Sequence, residues 1–212
     1  MIIYWIFKNI FFFLNKISLK KRKSYLDQVY WGKPISGFGD LNGNIIIIGL
    51  APAAHGATRT GRVFTGDKSA DFLFNCLFKS GLSNQPNSDH INDGLKLKNT
   101  FITLALRCVP PEDKPTKEEL KNCSAFFKEE LNMIKNKKVI VALGKIAFDA
   151  CIKFYKENYG LMGSYKFGHG SKYDINGLTI FGCYHPSPRN VNTKRINTTK
   201  MTYLFKRAKK LI

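Results

Sequence analysis

The stretch NIIIIGLAPAAHGATRTGRVFTGD (44–67) runs from an apolar segment straight into an irregular loop. Four successive isoleucines are β-branched and too few for a helix, so they predict a buried strand over Ile45–Gly49. Residues 49–67 carry four glycines, two arginines and one histidine, and close on the carboxylate of Asp67. Glycines at 49, 56, 61 and 66 permit tight backbone paths and close approach to a planar ligand. Asp67 opens a helical pattern, Asp67–Lys79, and the local pattern alone favours a helix N-cap over a catalyst. Phe64 sits in polar surroundings, which suits a stacking platform or a small plug into the core. No phosphate cradle is present: the loop has neither GxxxxGK[ST] nor a GxGxxG opening a helix.

Three more apolar runs predict strands, Phe101–Leu106, Val139–Leu143 and Leu178–Tyr184. Helical patterns separate them: Asp67–Lys79 (Phe72, Leu73, Cys76 and Leu77 inward), Thr116–Lys135, Lys145–Glu157 (Ile146, Ala150 and Phe154 inward) and Lys200–Ile212. Thr116 with Glu119 reads as a capping box. Strands alternating with helices predict an α/β fold, three layers α/β/α around a central, mostly parallel, four-stranded sheet. Sites in such sheets form where the chain leaves the C-terminal ends of strands. Three irregular segments stand there: 49–67, RCVPPEDKPT (107–116) and HPSPRNVNTKR (185–195). They bring Asp67, Asp113 and His185 to one edge of one sheet. The two prolines of the last segment stiffen a loop suited to phosphate contact, although a plain turn into the final helix fits it too. His185 by itself is equally a core histidine at a strand end.

The chain has 212 residues, with 34 Lys+Arg against 15 Asp+Glu and a net charge of +19. A hydrophobic content of 44% says globular. The positive excess suits nucleic acid or an anionic membrane; abundant Lys and Asn also fit AT-rich coding. Five cysteines without a CxxC exclude a secreted disulfide framework and suit a reducing cytoplasm. Cys108 and Cys123 alone do not complete a metal site. Residues 1–28 are set apart from a domain over 29–212. IIYWIFKNIFFFLNKI (2–17) is apolar and KKRK (20–23) basic. The run is too short to span a bilayer, and no membrane partner is expected. An interfacial helix, a helix packed on the domain and a mis-assigned start remain open.

Five segments together resemble the family 5 uracil-DNA glycosylases: YWGKPISGFGD (30–40), GLAPAAHGATRTGRVFTGD (49–67), RCVPPEDKPTKEEL (107–120), VALGKIA (141–147) and YHPSPRNVNT (184–193). They occur in the family's order and span residue 30 to about 195. GLAPA in place of GEAPG separates the chain from family 4. The resemblance implies that Asp67 is the catalytic acid and that His185 contacts the base. Phe64 matches the stacking aromatic, and Gly49, Leu50, Ala51, Pro52 and His55 line the base pocket. Leu104 stands where family 4 reads the base with an Asn, so discrimination relaxes and hypoxanthine joins uracil as an expected substrate. Arg59 and Arg62, with Ser187, Arg189, Asn190 and Arg195 after the motif His, are the expected contacts to duplex DNA.

The chain departs from the family at two places. Asp113 stands where Asn is common, and its charge would oppose an anionic leaving group. The family's 4Fe-4S cluster has four Cys ligands; Cys108 and Cys123 match two, and the N-terminal CxxC has no counterpart here. A mis-assigned start, a lost cluster and weak cluster binding all fit. The expectation is a monomeric, cytoplasmic, monofunctional DNA N-glycosylase acting on deaminated bases. The alternative is a DNA-binding member impaired in catalysis.

Overall fold

The computed structural model describes residue 17, residues 19–111, 114–175 and 177–212. Most of the apolar segment 2–17, and Asp113, lie outside them. In chain order the elements are β1 (Phe38–Gly39), β2 (Ile45–Gly49), α1 (Ala57–Thr60), α2 (Lys68–Lys79), β3 (Thr100–Leu104), α3 (Lys117–Met133), β4 (Val139–Leu143), α4 (Lys145–Tyr159), β5 (Lys172–Ile175), β6 (Leu178–Cys183), α5 (Pro188–Asn192) and α6 (Thr198–Lys209).

The sheet order is β1-β3-β2-β4-β6-β5. Its centre, β3-β2-β4-β6, is parallel throughout, as expected. Two short antiparallel strands extend the four expected ones to six: β1 pairs with β3, and β5 with β6. The isoleucines of β2 alternate between faces. Ile45 and Ile47 enter the core layer that holds Leu73, Leu77 and Phe205, from α2 and α6. Ile46 and Ile48 enter the opposite layer with Phe127, Phe148 and Ile152, from α3 and α4. Covering both faces explains why the strand is apolar without alternation.

The helices keep their expected places with one rotation of a face. In α4, Ala147, Phe148, Cys151, Ile152, Phe154 and Tyr155 are buried, whereas Ile146, expected inward, is exposed. It sits in the first turn, at the rim of a pocket rather than over the sheet. The capping box of α3 forms in both directions between Thr116 and Glu119. Among the described residues no helix is long and apolar enough to cross a membrane.

A buried ion pair fixes the irregular loop. Arg62, expected at DNA, is instead only 4% exposed, and its guanidinium meets both oxygens of Asp93 at 2.8 and 2.6 Å. It also donates to Thr65 Oγ1 and Ser88 Oγ. A basic residue in a loop with a distant acid partner looks the same in sequence as one left for phosphate. Burial pushes the Asp93 carboxyl up, but the Arg62 guanidinium and the Leu95 and Asp89 amides outweigh it and hold the group far below the usual carboxylate range. Its stabilisation is therefore complete above the unfolded pKa, about 4, and is lost as pH falls through the folded value. Removing one partner strands a buried charge. Arg62→Ala should lower the unfolding free energy by about 3 kcal/mol, read as a fall in the urea midpoint at constant m.

Candidate active site

The four parallel strands end on one side, and the chain leaving each contributes to a single pocket of about 410 Å³. Leu50–Ala53 follow β2, Leu104 ends β3, Gly144–Ala147 follow β4, and His185 and Ser187 follow β6. β2 connects to β3 on one side while β4 lies on its other, so the pocket stands at the topological switch point. Phe64, Asp67 and Ser69 complete the wall.

Asp67 is the N-cap of α2. Its Oδ1 accepts from Ser69 N at 2.8 Å and Ala70 N at 3.0 Å. Its Oδ2 lies against Gly56, where a methyl group would overlap it. Burial raises the Asp67 pKa, against the Ala70 and Ser69 amides; Asp71 raises it further and Arg59 lowers it. The carboxylate is thus held by one oxygen and free at the other.

Phe64 has φ 47°, an uncommon left-handed conformation for a bulky residue. That backbone sets its ring against Gly49, where an added Cβ would come within 2.8 Å of Phe64, and 6.0 Å from the His185 ring centre to centre. Strain of this kind collects at functional sites. His185 is half-buried, and burial pushes its pKa down to about 4, so the imidazole is neutral at physiological pH. Asn190 Nδ2 donates to the His185 carbonyl at 2.9 Å, and Ser187 caps α5 by accepting from Asn190 N. The segment expected as a rigid loop thus contains a short helix, with Pro188 in its first turn.

Other sequence expectations shift in place. His55 lines the neighbouring cleft instead of the base pocket, with Nδ1 at 2.8 Å from Tyr30 Oη. Asp67 and Ser69 border both cavities. Arg59, expected at DNA, donates to the carbonyls of His55 and Gly66. Asn190 uses its amide inside the protein, while Arg189 and Arg195 are exposed. Sequence reasoning quoted Gly144–Ala147 within VALGKIA but gave them no place at the site, although they follow a strand end as the other three segments do. Among the described residues no side chain caps α4, so its first N–H groups are available at the pocket.

A model described as the uracil DNA glycosylase superfamily matches residues 36–209. A type-5 uracil-DNA glycosylase of Pyrobaculum aerophilum is 41% identical over 191 residues, 90% of this chain and 82% of that one. One from Mycobacterium tuberculosis is 40% identical over 201 residues, covering 93% and 74%. The chain belongs to the type-5 uracil-DNA glycosylases. A Thermus thermophilus member is 39% identical over 193 residues, covering 90% and 86%. A type-4 enzyme of Pyrobaculum aerophilum reaches only 26% over 161 residues, 74% of each chain. The separation from family 4 drawn from GLAPA agrees with that ordering.

Of the four cluster thiolates that the resemblance implies, this chain has counterparts for two, Cys108 and Cys123. Cys108 and Cys123 border one small cavity, and burial, with the neighbouring Cys123 thiol, pushes Cys108 up to about 12. Cys76, Cys151 and Cys183 are buried in the two core layers, as core thiols. Among the described residues no three His, Cys, Asp or Glu side chains converge as ligands.

The contact between Gly56 and Asp67 yields a direct test. Gly56→Ala must displace Oδ2, and a misplacement of that size costs about 100-fold in single-turnover excision rate. Circular dichroism should show the fold intact.

Proposed function

We propose that this chain excises uracil from DNA by flipping the nucleotide out of the duplex and hydrolysing its N-glycosidic bond. One observation carries the reading: a carboxylate, a neutral histidine and an aromatic ring meet in one base-sized pocket, in a chain about two-fifths identical to type-5 uracil-DNA glycosylases. A base inside the stack is out of reach, so it must leave the helix at a cost of a few kcal/mol, least at a U·G mismatch. The flipped base stacks on Phe64. As the bond to the sugar breaks, the base gains negative charge and the sugar positive charge. His185, already neutral, donates an N–H to the departing base, and the first amides of α4 add partial positive charge there. Asp67 Oδ2 stabilises the sugar cation or orients the attacking water.

Leu50, Ala51 and Leu104 offer no side-chain amide to read the uracil edge. Discrimination then rests on shape, His185 and backbone groups, which supports hypoxanthine as a second substrate. Lys145 borders the pocket but pairs with Asp149 at the surface. Among the described residues no buried lysine is set up as a Schiff-base nucleophile there, which supports a monofunctional enzyme. Exposed Arg189 and Arg195 and the +19 charge suit phosphate contact. A monomer in the cytoplasm completes the reading, and the five free thiols fit a reducing compartment.

The test incubates the protein with U·G and hypoxanthine·T duplexes and then cleaves with alkali. Alkali-labile sites in both, with faster release from U·G, are expected. A gel shift of the duplexes without any alkali-labile site would overturn excision in favour of a DNA-binding member that has lost catalysis.

A further inference from the structure

We propose that Arg59 is a positioning residue for base excision, acting through Asp67 by closing the loop that carries it. The proposal rests on Asp67 being the catalytic carboxylate. Arg59 lies in α1, inside the loop. Its Nε donates to the His55 carbonyl at 2.8 Å and its Nη2 to the Gly66 carbonyl at 2.8 Å. One planar fork therefore joins the residue before Gly56 to the residue before Asp67. Those are the two stretches whose contact sets the Asp67 carboxylate. Its Nη1 donates to Gln28 Oε1 at 2.7 Å, and its guanidinium carbon stands 4.2 Å from the Tyr25 ring centre. These contacts hold the fork from the outside. Gly66 has φ 74°, and a methyl group there would overlap Arg59 Nη2, so the chain gives way to the guanidinium at this point.

Two features separate this role from phosphate binding. Three of the guanidinium's nitrogens already donate within the protein. Among the described residues no carboxylate pairs directly with Arg59, so its charge is not cancelled locally and acts on Asp67 across the cleft. The other charged or titratable groups around Asp67 among the described residues are Lys68 and Asp71 on α2, Arg22, Tyr25, His55 and Asp89 in the cleft, and Lys145 and His185 across the pocket. A lysine would keep the charge but cannot form the fork.

The test compares wild type, Arg59→Gln and Arg59→Lys as full chains. Single-turnover excision from a U·G duplex is followed against pH, and duplex affinity is measured by anisotropy. The Asp67 carboxyl is titrated by ¹³C NMR and assigned with Asp67→Asn. Arg59→Gln should lose about tenfold or more of the plateau rate, move the acid limb to higher pH and raise the Asp67 titration. Arg59→Lys should lose plateau rate with the acid limb near its wild-type place, and duplex affinity should hold in both. Wild-type plateau rates in both variants would overturn the proposal. So would weaker DNA binding at an unchanged plateau rate, which marks a phosphate contact. An Asp67 titration unmoved in Arg59→Gln contradicts it independently of catalysis. Absence of excision by the wild type counts against the functional reading alone.

Discussion

One carboxylate is held through a single oxygen, and the candidate site is arranged around it. Asp67 Oδ1 takes the two free amides at the start of α2, a stabilising contact worth about 1 kcal/mol. Its Oδ2 faces Gly56, which must lack a side chain for the contact to exist. A helix start is a rigid place to mount a charge, because α2 is itself packed through Leu73, Phe74 and Leu77 into the core. Capping uses Oδ1 and leaves Oδ2 for the proposed chemistry.

Opposite that carboxylate stands a histidine that burial keeps neutral. In the proposed reaction the pair divides the charge that develops when an N-glycosidic bond breaks: an anion beside the sugar, and an uncharged donor beside the base. The sheet makes this division possible. Its four parallel strands end together, so residues more than a hundred positions apart meet at the switch point. Phe64, in a backbone conformation uncommon for its size, sets its ring against Gly49 and 6.0 Å from the His185 ring.

Much of this was legible in the sequence. Apolar runs without alternation fixed the parallel centre of the sheet, and the strand-end rule placed 49–67 and 185–195 at one edge. The rest was hidden for physical reasons. β1 is two residues long within GFGD, and β5 is a polar KYDI, so neither carries a strand's hydrophobic signature. Arg62 and Arg59 read as surface cations because ion pairs and carbonyl clamps between distant segments leave no local pattern. The face of α4 was misplaced by Ile146, an apolar residue turned to the pocket instead of the core. Asp67 matched a cap in sequence and is one in the structure; its expected role as the catalytic acid came from the resemblance alone.

The most direct measurement pairs unfolding with excision in Asp67→Asn. Asparagine is as good an N-cap as aspartate, so the unfolding free energy should fall by no more than about 0.5 kcal/mol. An uncharged amide cannot stabilise the sugar cation, so excision of uracil from a U·G duplex should drop by about 100-fold or more. Excision within a few-fold of wild type in a variant of unchanged stability would show that Asp67 is a cap and nothing else.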